Sequence, residues 1–357
     1  MAKELLKGNV AVAEAALRGG CDFFAGYPIT PSTETLEYLS HRMPELGMET
    51  RFVQSENEIA AINMVMGAAS AGARAFTASS GPGISLKAEG MSYAAHYAIP
   101  FVMLNVQRWG TGLGSLKSGQ ADYYRDCKGG GHGDYHNVVF APNNIQEMVD
   151  DIYEAWEIAE RYRVGATIFS EAVLGQMMES VEMPPFKKRE IEMDWGIDGT
   201  GIKGMKYPGG DGQEYIDFEL SKYERIIPEM QRWEQYRTED AEYVFTAFGL
   251  PSRVCVDVVD KLRESGEKVG LFRPKILWPF PHKGFEELHN MNPNVRGFIS
   301  VEMNDMGQMV DDVALAAKRA GYNVPTYCYP CGGGVPRVKM VLAKYHEIKN
   351  GELKEMY

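Results

Sequence analysis

The chain has 357 residues, 45% hydrophobic and 24% charged, with a formal net charge of −12. That length suits two globular domains, and the acidic balance argues against a nucleic-acid partner, whose phosphates require clustered Lys and Arg. No apolar run long enough for a bilayer and no signal-peptide core is present, so no membrane association is expected and the chain is placed in the cytoplasm.

From residue 8 the pattern alternates between helix and strand. Val10, Ala13 and Leu17 share one helical face, Gly19-Gly20 closes that helix, and residues 21–25 read as a short buried strand. Thr30 is suited to cap the next helix, with Pro31 at its first position. Strands are expected at 51–54, 75–78, 101–106, 137–140 and 166–170, and helices over 58–70, 85–97 and 144–162. Such alternation implies a parallel sheet covered by helices on both faces, and residues 1–185 form the expected first domain. Composition changes at Met183-Pro184-Pro185, so residues 186–238 read as an inter-domain excursion with one late helix around 223–236. Alternation then resumes with strands at 243–248, 268–272 and 296–301 and helices over 252–265 and 306–320, a second, smaller α/β domain over 239–357.

Five cysteines, Cys21, Cys127, Cys255, Cys328 and Cys331, are odd in number and mostly isolated. They supply neither a disulfide framework nor a four-cysteine cluster motif. Cys328 and Cys331 have redox spacing but follow a strand instead of opening a helix, and read as structural. His132 and His136 stand four apart among glycines, which favours an ordered loop over a metal-binding helix.

Four segments fall where strand gives way to helix: residues 27–33, Ser55-Glu56-Asn57-Glu58, Ser79-Ser80-Gly81-Pro82-Gly83, and Gln107-Arg108. In a parallel sheet these turns converge on one edge, where ligands bind. Ser55 and Glu58 have capping-box spacing, which accounts for Glu58. Glu56 has no such duty; it is either a first-turn acid favoured by the helix dipole or a catalytic carboxylate.

Residues 27–33, 55–64, 67–74 and 77–83 closely resemble the thiamine-pyrimidine half of 2-oxoacid:ferredoxin oxidoreductases. Residues 273–281 and 300–304 resemble that family's transketolase-C-like domain, so the likeness runs nearly the whole length. Within the family, residues 84–93, 128–135 and 174–178 are most similar to the alpha-type subunit of the branched-chain (2-oxoisovalerate) enzymes. The resemblance implies an α/β chain, with a parallel-sheet thiamine-pyrimidine-type domain and a smaller transketolase-C-like domain. It also implies oxidative decarboxylation of a 2-oxoacid, 2-oxoisovalerate or another branched-chain acid, to acyl-CoA and CO2 with electrons to ferredoxin. Pyruvate and 2-oxoglutarate are the alternatives within the family.

By position in these motifs, Glu56 matches the glutamate on the aminopyrimidine ring of thiamine diphosphate, with Tyr27, Pro28, Ile29, Ser79, Ser80 and Gly81 around the cofactor. Val53, Ile59 and Ile62 are expected to bury the Glu56 carboxyl and raise its pKa. Thr30 matches a substrate-binding hydroxyl, unless it serves only as N-cap, and Arg108 matches the arginine that grips the 2-oxoacid carboxylate, unless it is a surface arginine. Relatives usually continue after this arginine with Gly-Gly-Pro, whereas Trp109-Gly110-Thr111 follows here. The tryptophan is therefore expected to reshape the acyl pocket.

A diphosphate and its magnesium need a Gly-Asp-Gly turn followed by an asparagine. Gly210-Asp211-Gly212 has the turn, but no asparagine lies between Asn144 and Asn290, so it reads as a linker. Half of the thiamine diphosphate site, with its Mg2+, is therefore expected on a diphosphate-binding beta-type subunit. The [4Fe-4S] clusters are expected on an iron-sulfur, ferredoxin-like subunit, a gamma-type subunit completes the complex, and coenzyme A is co-substrate. This acidic chain is a poor docking surface for an acidic ferredoxin. No metal site is expected on the chain itself. A self-contained thiamine enzyme is disfavoured by the incomplete diphosphate motif, and a nicotinamide dehydrogenase by the lack of Gly-x-Gly-x-x-Gly after the first strand.

Overall fold

The computed structural model describes residues 3–48, 51–188, 195–197 and 212–357. Its first part runs β1 (Lys3–Lys7), α1 (Gly8–Arg18), β2 (Phe23–Gly26), α2 (Thr33–Glu45), β3 (Phe52–Gln54), α3 (Glu58–Ser70), β4 (Ala75–Ser79), α4 (Pro82–His96), β5 (Phe101–Gln107), α5 (Tyr123–Cys127), β6 (Val138–Phe140), α6 (Ile145–Tyr162), β7 (Gly165–Glu171), α7 (Ala172–Gln176) and β8 (Met178–Glu182). There follow α8 (Gln213–Glu229), β9 (Trp233–Tyr236), β10 (Tyr243–Thr246), α9 (Gly249–Glu264), β11 (Val269–Pro274), β12 (Ile276–Trp278), α10 (His282–Met291), β13 (Gly297–Glu302), α11 (Met309–Ala320), β14 (Thr326–Pro330) and α12 (Val338–Lys349).

The larger sheet has the order β12-β6-β7-β5-β4-β2-β3. Its neighbours are parallel, except that β12 runs antiparallel to β6. β5 and β7 are buried along their whole length, as strands covered on both faces must be. On one face α1, α2 and α6 pack around Phe24, Phe76 and Trp156; on the other α3 and α4 pack through Ile62, Val65, Ile84 and Met91. Each such buried side chain contributes roughly 1.5–3 kcal/mol. α6 shows why these segments are helical: Ile145, Met148, Val149, Ile152 and Trp156 form one buried face, and the Asn144 side chain caps the start by accepting from the Glu147 amide at 2.8 Å. The second sheet has the order β14-β13-β10-β11-β9, and β1 pairs with β8 as a separate antiparallel ribbon.

Two segments depart from the sequence expectation. The late helix lies earlier, over α8, and residues 233–236 instead form β9, which pairs antiparallel with β11; the open edge of β11 outweighs the helical spacing there. β12, expected to belong with the second domain, adds to the first sheet. The two sheets are therefore sewn together rather than merely linked. The Gln120 amide donates to the Phe248 carbonyl at 3.0 Å and accepts from the Met303 amide at 3.1 Å, and Glu171 at the end of β7 accepts from the Leu250 amide at 2.8 Å. Arg273 bridges Glu147 of α6 and Glu234 of β9. No helix among the described residues is long and apolar enough to cross a membrane.

Burial pushes the Glu171 carboxyl up from 4.5 to about 7, against the hydrogen bond from Leu250. The folded chain therefore holds this proton where the unfolded chain has released it, so the associated stability is complete below pH 4.5 and lost as pH rises through 7. Across that window the wild type should lose on the order of 2 kcal/mol relative to Glu171→Gln in urea unfolding. A pH-independent difference would show that Glu171 is not desolvated.

Candidate functional site

Strand order decides which turns meet. β3, β2, β4 and β5 lie side by side, so the segments that follow them share one end of the sheet. The chain passes from β2 outward to β3 and returns to β4 on the opposite side of β2. The winding therefore reverses between β2 and β4, and such a reversal leaves the crevice in which these sheets hold ligands.

Arg108, immediately after β5, lies across this crevice. It is buried, and its Nη1 donates to the Thr30 carbonyl at 2.8 Å. Its guanidinium also presses on Gly81, where an added Cβ would fall 2.6 Å from Nε. Gly81 has φ +49°, so both its backbone and its space favour glycine. Burial lowers the Arg108 pKa, while the fields of Asp122 and Glu58 oppose that shift. Arg108 Nε, Ser79 Oγ and Ser80 Oγ are buried without hydrogen-bond partners. Unsatisfied buried polar atoms cost about 1–3 kcal/mol each, and their clustering beside a guanidinium marks a seat for a polar, anionic ligand.

The two acids of the next turn point to different places. Glu56 is exposed, and its carboxylate accepts from the Asn57 side chain. Within the single chain the expected burial of Glu56 against Val53, Ile59 and Ile62 is not met: Ile59 is itself exposed, and Ile62 faces the core between α3 and the sheet. Glu58 is the buried acid, 5% exposed. A Cβ on Gly83 would fall 2.4 Å from Glu58 Oε1 and 2.3 Å from Ser79 Oγ, so the carboxylate packs against the first turn of α4 in a space that glycine leaves open. A helix N-terminus favours a negative charge. The expected capping box does not form. Asn57 caps α3 by accepting from the Ala60 amide at 2.8 Å, while Ser55 Oγ donates to the Asn57 carbonyl at 2.9 Å. Glu58 is thereby released from capping. Asn57, a first-rank N-cap residue next to that acid, was the signal in the sequence.

Tyr27, Pro28, Ile29 and Thr30 form the lip beside β2, with Tyr27 and Thr30 exposed. Thr30 is not the N-cap of α2, because Ser32 Oγ donates to the Ile29 carbonyl at 2.8 Å and the helix starts at Thr33. The Thr30–Pro31 peptide is cis, and the Pro31 carbonyl accepts from Asn9 Nδ2 at 2.7 Å. Ser80 and Gly81 form the turn from β4 into α4.

Lys87 was not anticipated. It is fully buried on α4, and its Nζ donates to Thr77 Oγ1 at 3.0 Å. Burial drives its pKa down to about 7, against the field of Glu58. Ile84, Lys87, Met91 and Ala94 occupy one buried stripe, so a lysine at an apolar position of the 3.6-residue pattern was its trace in the sequence.

Other candidates lie outside the crevice. The Trp109 Nε1 donates to Asp305 Oδ1 at 2.9 Å and the indole packs on Gly333, so this ring serves the second domain instead of bordering Arg108. Cys328 and Cys331 donate weakly to Glu302 and the Gly334 carbonyl, and burial raises both thiols, Cys331 to about 11; neither has thiolate character. His136 stacks on Trp278 at 4.3 Å, with burial lowering its pKa to about 4. Gly210 and Asp211 lie outside the described residues. Among the described residues, no group of three or more His, Cys, Asp or Glu is placed to hold a metal ion.

Residues 14–199 match the family described as pyruvate flavodoxin/ferredoxin oxidoreductase, thiamine diphosphate-binding, and residues 241–341 match pyruvate:ferredoxin oxidoreductase core domain II. The ketoisovalerate oxidoreductase subunit VorB of Methanothermobacter marburgensis is 43% identical, over 98% of both chains. The 2-oxoglutarate synthase subunit KorA of Methanocaldococcus jannaschii is 33% identical, over 90% of this chain and 93% of its own. Among solved structures, the 2-oxoglutarate:ferredoxin oxidoreductase from Magnetococcus marinus, with 2-oxoglutarate, coenzyme A and succinyl-CoA bound, aligns with a TM-score of 0.83 at 25% identity. That alignment covers 97% of this chain and 65% of the longer one.

Gly81→Ala tests the packing of the crevice. Strain at a positive φ and the encroachment on Arg108 should together lower stability by about 1–3 kcal/mol in urea unfolding. A neutral substitution would mean that Arg108 is not held there.

Proposed function

The chain belongs to the 2-oxoacid:ferredoxin oxidoreductase family, and on that premise we propose that it is the alpha-type subunit of an enzyme for branched-chain 2-oxoacids, 2-oxoisovalerate foremost. The reading is carried by one observation: a buried acid, Glu58, and a buried guanidinium, Arg108, flank the unpartnered Ser79 and Ser80 hydroxyls at the point where the sheet reverses its winding. The substrate choice is supported by the higher identity to the ketoisovalerate subunit than to the 2-oxoglutarate subunits.

These residues fit one half of a thiamine diphosphate site. When bound, the cofactor supplies a nucleophilic carbon that attacks the keto group and an electron sink for decarboxylation. Ser79, Ser80 and Gly81, with Tyr27, Pro28 and Ile29 opposite, would hold its aminopyrimidine. Glu56, exposed in the single chain beside the apolar face that a partner would cover, would hold a proton at its carboxyl toward a ring nitrogen, with the buried Glu58 behind it. Arg108 would bind the 2-oxoacid carboxylate: the Thr30 carbonyl fixes one arm, and Nε remains as a donor to an anion. The Thr30 hydroxyl, at the lip, is suited to the keto oxygen.

The diphosphate grip and Mg2+ fall to a beta-type subunit, the [4Fe-4S] clusters to a ferredoxin-like subunit, and a gamma-type subunit completes a cytoplasmic complex. Decarboxylation then yields acyl-CoA with coenzyme A as acceptor, and two electrons leave singly for ferredoxin. Ile59, Met64, Leu86 and Tyr93 stand exposed on α3 and α4, an apolar area suited to cover by such a subunit.

In the reconstituted complex, Glu56→Gln should cut 2-oxoacid-dependent viologen reduction by about 100-fold or more without loss of assembly, while Glu58→Gln retains more of it. The reverse ranking would refute the assignment of Glu56. Arg108→Lys should raise the KM for the 2-oxoacid about tenfold or more, and a panel of 2-oxoacids assayed in parallel tests the branched-chain preference.

A further inference from the structure

We propose that Asn9 is a positioning residue for Arg108: from the first turn of α1 it anchors the Pro31 carbonyl, next in the chain to the carbonyl that fixes the guanidinium. The inference rests on Arg108 being the group that binds the 2-oxoacid carboxylate. One arm of that fork is held by the Thr30 carbonyl at 2.8 Å. A hydrogen bond orients its donor only as firmly as its acceptor is itself held, so the clamp is as rigid as the lip beneath it.

Three successive carbonyls at the lip are held from three directions. That of Ile29 accepts from the Ser32 hydroxyl at 2.8 Å and the Ser32 amide at 2.9 Å, a purely local turn. That of Thr30 accepts from Arg108. That of Pro31 accepts from Asn9 Nδ2 at 2.7 Å, with a longer contact to Gln176 Nε2 at 3.4 Å. Asn9 is fully buried, and its amide cannot be turned round without loss. Nδ2 meets two groups that only accept, the Pro31 carbonyl and, at 3.2 Å, the Glu34 carboxylate that Lys7 pairs at 2.7 Å. Oδ1 is buried without a partner, a cost that an apolar side chain would avoid. Ala11, Val12 and Ala13 beside it are apolar and fully buried, so the amide at position 9 is explained by its donor and not by packing. The base it springs from is firm. The Gly8 amide donates to the Met177 carbonyl at 3.1 Å, and a Cβ on Gly175 would fall 2.6 Å from Asn9 Oδ1, so α7 closes tightly over the amide.

The test is steady-state kinetics of the reconstituted complex with 2-oxoisovalerate as the varied substrate. Asn9→Ala should raise KM about tenfold and leave kcat within about threefold, because a carboxylate clamp acts alike on bound substrate and transition state. Glu34→Ala removes the Lys7 ion pair and the second acceptor of Asn9 but spares the Pro31 contact, so it should leave KM within about twofold. A merely structural asparagine would reduce the yield of complex or kcat and leave KM where it was, and that result would overturn the proposal. The sharper arm is the pair with Arg108. In an Arg108→Lys background Asn9→Ala should add less than about twofold to KM, since the fork it positions is gone; the full increase there would show that Asn9 acts elsewhere and would equally overturn it. Asn9→Ser takes the place of the alanine variant if that does not assemble, and failure of both would make Asn9 a folding residue, against the proposal. If Arg108→Lys by itself leaves KM unchanged, the reading of Arg108 is what fails, and the role of Asn9 falls with it.

Discussion

The closeness with which Glu58 approaches the first turn of α4 governs the whole sheet edge. Gly83 leaves no side chain in the space that the Glu58 carboxylate and the Ser79 hydroxyl both border; any Cβ there would push one of them out. With that contact made, Glu58 lies within the field of Arg108, which Asp122 shares. In a poorly solvated cleft a guanidinium with an unpartnered Nε attracts a small anion and holds it strongly once it is seated.

The second domain contributes to this arrangement without entering it. Trp109 and Gln120, on the chain that leaves Arg108, are held by Asp305, Gly333, Phe248 and Met303, and Glu171 beside Gln107 is held by Leu250. The segment after β5 is therefore fixed from both sides, which restricts the rotamers open to Arg108. A rigid support of this kind is what a bidentate anion clamp requires.

How far the sequence disclosed this depends on how local each determinant is. The parallel sheet was legible because β4, β5 and β7 are apolar runs between turn residues. The convergence of residues 27–33, 79–83 and Arg108 followed from strand-to-helix position alone. The cap of α3 was misread because two local capping schemes compete over residues 55–58, and with Glu58 packed against Gly83 it is Asn57 that caps the helix. Trp109 and β12 were illegible for a different reason: their partners, Asp305 and Phe140, are 196 residues away in one case and across a domain boundary in the other. Lys87 was visible in the helical stripe, but nothing nearby in the sequence indicated that it would be fully buried against Thr77 of β4.

The most direct test is a structure of the reconstituted complex with thiamine diphosphate bound. The Glu56 carboxyl should lie within hydrogen-bonding reach of the aminopyrimidine ring, with Glu58 packed behind it against α4 and Arg108 facing the substrate side. A Glu58 carboxyl on that ring, with Glu56 left in solvent, would contradict the account.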